Sequence, residues 1–147
     1  MSSLLVLNGP NLNLLGTRQP DVYGRTTLAD IEQMCAAHAK ALNVSLSFEQ
    51  SNLEGEMIDH IHAAKGVHDV IILNAGAYTH TSVALMDAIS SVELPVIELH
   101  LSNVHAREEF RHKSFIAPVA LGIICGFGAR GYTLAMDAAV NHLEIAR

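Results

Sequence analysis

Glu98 and His100 stand two apart in the run Pro95-Val96-Ile97-Glu98-Leu99-His100, which otherwise reads as a strand. Residues two apart on a strand share a face. A carboxylate beside an imidazole orients the ring and favours its protonated form, which makes a candidate general acid or base. Taken alone, a strand-end histidine making structural hydrogen bonds is the stronger account. The following Leu101-Ser102-Asn103 shifts the balance, because backbone N–H groups and a serine hydroxyl just past a strand end can hold a carboxylate or phosphate.

Arg18 and Tyr23 form a second pair. A phenol has an ordinary pKa near ~10, so a tyrosine base needs a positive neighbour. One arginine about 4 Å away contributes on the order of 4 kcal/mol at an effective dielectric of about 20, before desolvation opposes it. A packed lid tyrosine beside a solvated arginine fits the spacing as well. Asn74 and His80 flank a glycine turn after another apolar run and suit hydroxyl recognition, or loop capping. Arg107 and Arg111 are four apart and can share a helical face, functional or solvated. Asp87 lies in a helical pattern that packs through its other side and reads there as a solvated residue.

Other motifs carry less. Gly126 to Gly131 spells G-x-G-x-x-G, but a dinucleotide fold needs that turn at the start of a βαβ unit with an acidic residue about 20 positions on. Here it stands near the end of the sequence, so the glycines read as close strand–helix packing. His60 and His62 are two apart on a helix and diverge. No lysine stands at a strand end, and no P-loop or serine nucleophile elbow is present.

The elements that must position these groups alternate. Strands are expected over 4–8, 44–48, 70–73, 95–100 and 119–125. Helices are expected after Thr27, which can cap with Asp30 in the first turn, after Ser51 or Asn52, from about Val83, and over 132–143. The 44–48 strand alternates apolar residues with serines, as at a sheet edge, whereas 70–73 is apolar throughout, as in a buried parallel strand. Five strands alternating with helices give a parallel sheet covered on both faces, in the flavodoxin-like order. The polar groups fall at the carboxyl ends of strands one, three and four, where such folds bind ligands.

Between strand one and the first helix runs NGPNLNLLGTRQPDVYG, longer than the roughly 2–6 residues usual for such a connection. Leu14 and Leu15 can anchor it, Pro20 stiffens it, and Gly16 and Gly24 bracket the arginine and tyrosine. It reads as an active-site lid over about 16–24 in a single catalytic domain of residues 1–147.

Bulk properties agree with a compact enzyme. The 147 residues carry a formal charge of −6 and only 16% charged side chains, against roughly 25% typically. A low charge fraction favours an oligomer. The acidic balance argues against nucleic-acid binding, and no apolar run nears the ~20 residues of a membrane helix. No secretory leader is seen. Cys35 and Cys125 are expected as buried free thiols, in keeping with the cytoplasm.

Together these residues resemble the type II 3-dehydroquinate dehydratases over nearly the whole chain. The matching segments are NGPNLNLLGTRQPDVYG, QSNLEGEMIDHIH at 50–62, NAGAYTHTSVAL at 74–85, ELPVIELHLSNVHAREEFRHKS at 93–114 and GFGARGYTLA at 126–135. The resemblance implies a flavodoxin-like fold, no metal or organic cofactor, and loss of water from 3-dehydroquinate in shikimate biosynthesis or quinate breakdown. It implies Tyr23 as proton acceptor, His100 as proton donor oriented by Glu98, and Arg18 as the group that keeps Tyr23 acidic and stabilises the transition state. Asn11 would hold a water against the enolate oxygen. Asn74, His80, Asp87, Leu101, Ser102 and Arg111 match substrate-binding positions, Leu101 through its backbone N–H. It also implies a homododecamer built of trimers, in which Asp87 can serve a neighbouring subunit. The alternative is a non-catalytic flavodoxin-like binding module. Within that class the first loop lacks an FMN phosphate cradle, and strand three ends in Asn74 where a phospho-receiver needs an aspartate.

Overall fold

Leu4 to Leu7 are apolar without alternation, and the strand they form is buried on both faces. The computed structural model describes residues 1–17 and 20–146, without the side chains of Val22 and Tyr23. Its regular elements, in chain order, are β1 (Ser3–Asn8), α1 (Pro20–Tyr23), α2 (Leu28–Leu42), β2 (Ser45–Gln50) and α3 (Glu54–Ala64). β3 (Val70–Asn74), α4 (Val83–Val92), β4 (Val96–His100), β5 (Gly122–Cys125) and α5 (Arg130–Ile145) follow. The five strands form one parallel sheet in the order β2-β1-β3-β4-β5. This is the expected α/β, flavodoxin-like arrangement.

The period of two along each strand sorts the core into two layers. Leu4, Val6, Val70, Ile72, Ile97 and Leu99 pack with α2 and α5 on one side. Leu5, Leu7, Ile71, Leu73 and Val96 pack with α3 and α4 on the other. The same period puts Glu98 and His100 on the Val96 side. β2 is an edge strand, half-buried along most of its length, as its serine alternation foretold. Thr27 and Asp30 cap α2 reciprocally, and Asn43 ends it in the left-handed region at φ 57°. A Cβ on Gly131 would lie 2.9 Å from Leu99 Cδ1, so this glycine serves the tight seating of α5 on β4.

Several expectations need correction. The last strand starts at Gly122, not 119, because Ala117–Val119 wind into a 3-10 turn with Pro118 at its start, and Val119 N–H turns back to the Ile116 carbonyl. The segment from Arg107 to Lys113 is not an α-helix. Its 3-10 turns at Val104–Ala106 and Glu109–Arg111 give Arg107 and Arg111 no common helical face. Cys35 is buried, whereas Cys125 is only half-buried on the edge strand β5; both are free.

Candidate active site

The site grows from the carboxyl edge of the sheet, where the loops after β1 and β3 are locked together. Gly9 N–H donates to the Asn74 carbonyl at 2.8 Å. A Cβ on Gly9 would come within 2.5 Å of the Ala75 carbonyl oxygen, so only glycine lets these backbones approach so closely. The chain then makes a 3-10 turn at Leu12–Leu14. Leu12 and Leu15 anchor it in the core. Leu14, expected in that role, is 47% exposed, because the turn aims it outward.

Below this edge lies a buried polar bridge. Asn8 and Asn74 are register partners on β1 and β3. The fully buried Tyr132 hydroxyl donates to Asn8 Oδ1 at 2.7 Å and accepts from Asn74 Nδ2 at 3.0 Å. Asn8 Nδ2 continues to the Glu49 carbonyl at 3.1 Å. Burial pushes the Tyr132 phenol well above its ordinary range, against the Asn74 bond that lowers it, so it stays a neutral donor. Asn74 Oδ1 accepts from Gly76 N–H at 3.3 Å. The amide is therefore held in place as well as facing the cleft.

The cleft above the edge is lined by Asn11, Asn74, His80, His100, Leu101, Ser102, Arg107 and Arg111, among others. At its floor the Nε2 of His100 meets Glu98 Oε2 at 2.6 Å, with both side chains almost wholly buried. The other carboxylate oxygen, Oε1, accepts from the Ser114 hydroxyl at 2.8 Å. The His80 ring stacks near parallel to His100, with centroids 6.3 Å apart. His80 Nδ1–H donates to the Lys113 carbonyl at 2.7 Å. Burial holds the His80 imidazole below the ordinary histidine value; His100 and Arg111 push the same way, and the Lys113 bond opposes. His80 is thus a neutral ring that offers Nε2 as an acceptor.

The opposite wall is cationic. Arg107 reaches the Ser102 hydroxyl at 3.4 Å and Glu108 at 3.7 Å. Arg111 donates from Nε to Glu108 at 3.2 Å. Both guanidiniums line the cleft although they share no helix, because two successive 3-10 turns fold them inward. Leu101 is buried beside Ser102 in the turn after β4, and its carbonyl accepts from Gly128 N–H at 2.9 Å. Asn11 sits at the lip with its backbone N–H on Asn52 Oδ1 at 2.9 Å.

One expected residue stands apart from the cleft. Asp87 is exposed on α4, away from the cleft lining of its own chain. Arg18 and the side chain of Tyr23 lie outside the described residues. The segment expected as a lid leaves and returns at one place: a Cβ on Gly16, at φ +91°, would be 2.8 Å from the Arg25 carbonyl oxygen. The sequence reading missed Ser114 as a partner of Glu98. It left Arg107 open between a site role and a solvated one. No spacing ties Ser114 to a residue 16 positions earlier, and only the fold brings the two together.

Among the described residues no three histidine, cysteine, aspartate or glutamate side chains gather to hold a metal ion. What the cleft offers is a carboxylate-oriented imidazole, a neutral imidazole, two guanidiniums, a hydroxyl and amides. That set suits a small polyhydroxylated acid and proton transfer to or from it.

Comparison with known proteins points the same way. The family model described as Dehydroquinase class II matches residues 2–140. A 3-dehydroquinate dehydratase of Ruegeria pomeroyi is 68% identical over 98% of this chain and 97% of its own length. One from Dinoroseobacter shibae is 65% identical over 97% and 95%. The crystal structure of a type II dehydroquinase from Butyrivibrio crossotus superposes with a TM-score of 0.92 at 44% identity, covering 94% of this chain and 97% of that one. No helix among the described residues is long and apolar enough to cross a membrane.

Proposed function

The chain belongs to the class II dehydroquinases, and from that premise we propose that it removes water from 3-dehydroquinate to give 3-dehydroshikimate by acid–base catalysis. The observation that carries this reading is the buried Glu98–His100 pair, joined at 2.6 Å and opening onto a cleft lined with groups for hydroxyls and a carboxylate.

The chemistry needs one base and one acid. Tyr23, as phenolate beside Arg18, takes the proton from the carbon next to the ketone. The electron pair moves onto the carbonyl oxygen as an enolate, and Asn11 holds a water against that oxygen. When the enolate collapses, the β-hydroxyl leaves with a proton from His100, as water, and a double bond forms in conjugation with the ketone. Glu98 accepts the Nε2 hydrogen, so Nδ1 is the nitrogen turned to the substrate. Ser102 and the Leu101 N–H receive the substrate carboxylate, Arg111 adds charge to it, and Asn74 and His80 Nε2 receive hydroxyls. Stabilising the developing oxyanion in a water-poor cleft contributes most of the acceleration. Closure of residues 16–24 brings the base in and excludes water.

The reading extends to the assembly. A dodecamer of trimers would supply Asp87 of a neighbouring subunit to each cleft, which agrees with its exposure and idleness in one chain. Two free cysteines agree with residence in the reducing cytoplasm.

Ultraviolet absorbance after mixing protein with 3-dehydroquinate tests the function, since only the product has a conjugated double bond. The expected trace rises equally with a chelator and with borohydride present. A flat trace from folded oligomer refutes the dehydratase, and a binding module becomes the better account.

A further inference from the structure

We propose that Ser114 is a positioning residue that holds Glu98 as the acceptor of the His100 Nε2 hydrogen and so fixes which ring nitrogen faces the cleft. The role rests on His100 acting as the acid of the dehydration.

The geometry leaves the Ser114 hydroxyl one direction. Its oxygen accepts from the backbone N–H of Ile116 at 3.1 Å and of Ala117 at 2.9 Å. A hydroxyl has two acceptor sites and one hydrogen. With both acceptor sites occupied by N–H groups that cannot accept in return, the hydrogen goes to Glu98 Oε1, 2.8 Å away. Oε1 is thereby an acceptor and carries no proton. Glu98 is 3% exposed, and its other described partner is His100 Nε2. With Glu98 as a carboxylate that accepts at Oε2 as well, His100 donates from Nε2 and presents Nδ1 to the cleft. No described residue hydrogen-bonds Nδ1. Donation thus converges on Glu98, from the backbone through Ser114 on one side and from the ring on the other.

The segment carrying Ser114 is tied down on both sides of it. Lys113 O accepts from His80 Nδ1 at 2.7 Å, and Phe115 N–H donates to Thr79 O at 2.9 Å. These bonds hold residues 113–115 against the 3-10 turn Gly76–His80, which also bears the second imidazole of the cleft. A hydroxyl placed on an untethered loop would not select a rotamer of Glu98. This one is set on a braced strap.

The test compares Ser114→Ala, Ser114→Cys and Ser114→Thr with wild type. Loss of an orienting outer partner costs about 10–100-fold in activity in comparable ligand networks. The expected pattern is kcat down by that amount in Ser114→Ala, less in Ser114→Cys, and restored in Ser114→Thr, with KM within about twofold throughout. The acidic limb of kcat against pH differs between Ser114→Ala and wild type, a change that a mere loss of packing would not produce. Magic-angle-spinning 15N spectra of sedimented, histidine-labelled protein read the tautomer without turnover. His100, assigned by its absence in His100→Ala, is expected to keep one hydrogen on Nε2 in wild type, with Nδ1 alone gaining and losing the proton of catalysis, and to share that hydrogen between the two nitrogens in Ser114→Ala. An unchanged tautomer with an unchanged pH profile overturns the proposal. If Ser114→Ala does not fold, the Cys and Thr variants decide on the same two readouts. If wild type fails to turn over while its His100 is Nε2–H and Ser114→Cys relaxes it, the dehydratase reading fails and the positioning role stands.

Discussion

Tyr132 donates its hydroxyl to Asn8 across 124 residues of sequence, at 2.7 Å and out of contact with solvent. The bond ties the first turn of α5 to the end of β1. Because Asn74 donates to the same hydroxyl, one phenol closes both strand ends that support the cleft. Removing it leaves a buried amide oxygen and a buried amide N–H without partners, each costing about 1–3 kcal/mol. Tyr132→Phe is therefore expected to lower unfolding stability by about 2–4 kcal/mol in urea denaturation. A loss under 0.5 kcal/mol, on the order of an ordinary surface change, would mean that water replaces the hydroxyl.

His100→Ala, Tyr23→Phe and Arg18→Ala are expected to cut kcat by roughly 10²–10⁴-fold, the usual worth of a positioned acid or base. Circular dichroism should stay that of wild type. Tyr23→Phe with turnover near wild type would remove tyrosine from the role of base and leave another group to be found.

His80 gives a pH dependence with a definite sign. Its folded value lies below the ordinary one, chiefly through burial. The unfolded chain therefore binds a proton more readily, and stability falls as pH drops through the unfolded value of about 6.5. His68 is lowered by burial as well and adds to the same trend. Chemical denaturation at pH 7.5 and pH 5.5 should show a loss on acidification that is smaller in His80→Ala. An equal loss in both proteins would assign the effect elsewhere.

Cys35 is fully buried, and burial, with Glu32 adding to it, pushes its thiol up to about 12. The thiolate is the reactive form. Cys35 is expected to resist iodoacetamide at pH 8 in the native protein and to react once denaturant is added, whereas the half-buried Cys125 is the site of any native labelling. Peptide mass mapping reads both. Native modification of Cys35 would mean that α2 opens under these conditions.

The sheet was legible because its signals are local. The apolar run at β3 and the serine alternation at β2 predicted a central and an edge strand, and period two alone put Glu98 and His100 on one face. Boundaries failed where backbone bonding overrode pattern: Val119 and Ala120 look like strand, yet the turn at Pro118 claims their N–H groups. Leu14, expected as an anchor, turns outward for the same reason, and Leu12 is buried in its place. Ser114 and Tyr132 were not legible as parts of the site, and Arg107 stayed open between two roles, since each depends on where a distant segment lands. Asp87 stands exposed on α4, outside the cleft of its own chain, as its solvated reading had it.

The close meeting of Gly16 and Arg25 carries one more consequence. A segment whose two ends meet can change in length without moving the elements on either side of it. Its length is then set by what it must cover and not by the sheet, since lengthening a loop between fixed ends costs only about 0.6 kcal/mol per doubling. A change of length between Gly16 and Arg25 is therefore expected to leave Glu98, His100 and the rest of the cleft floor in place.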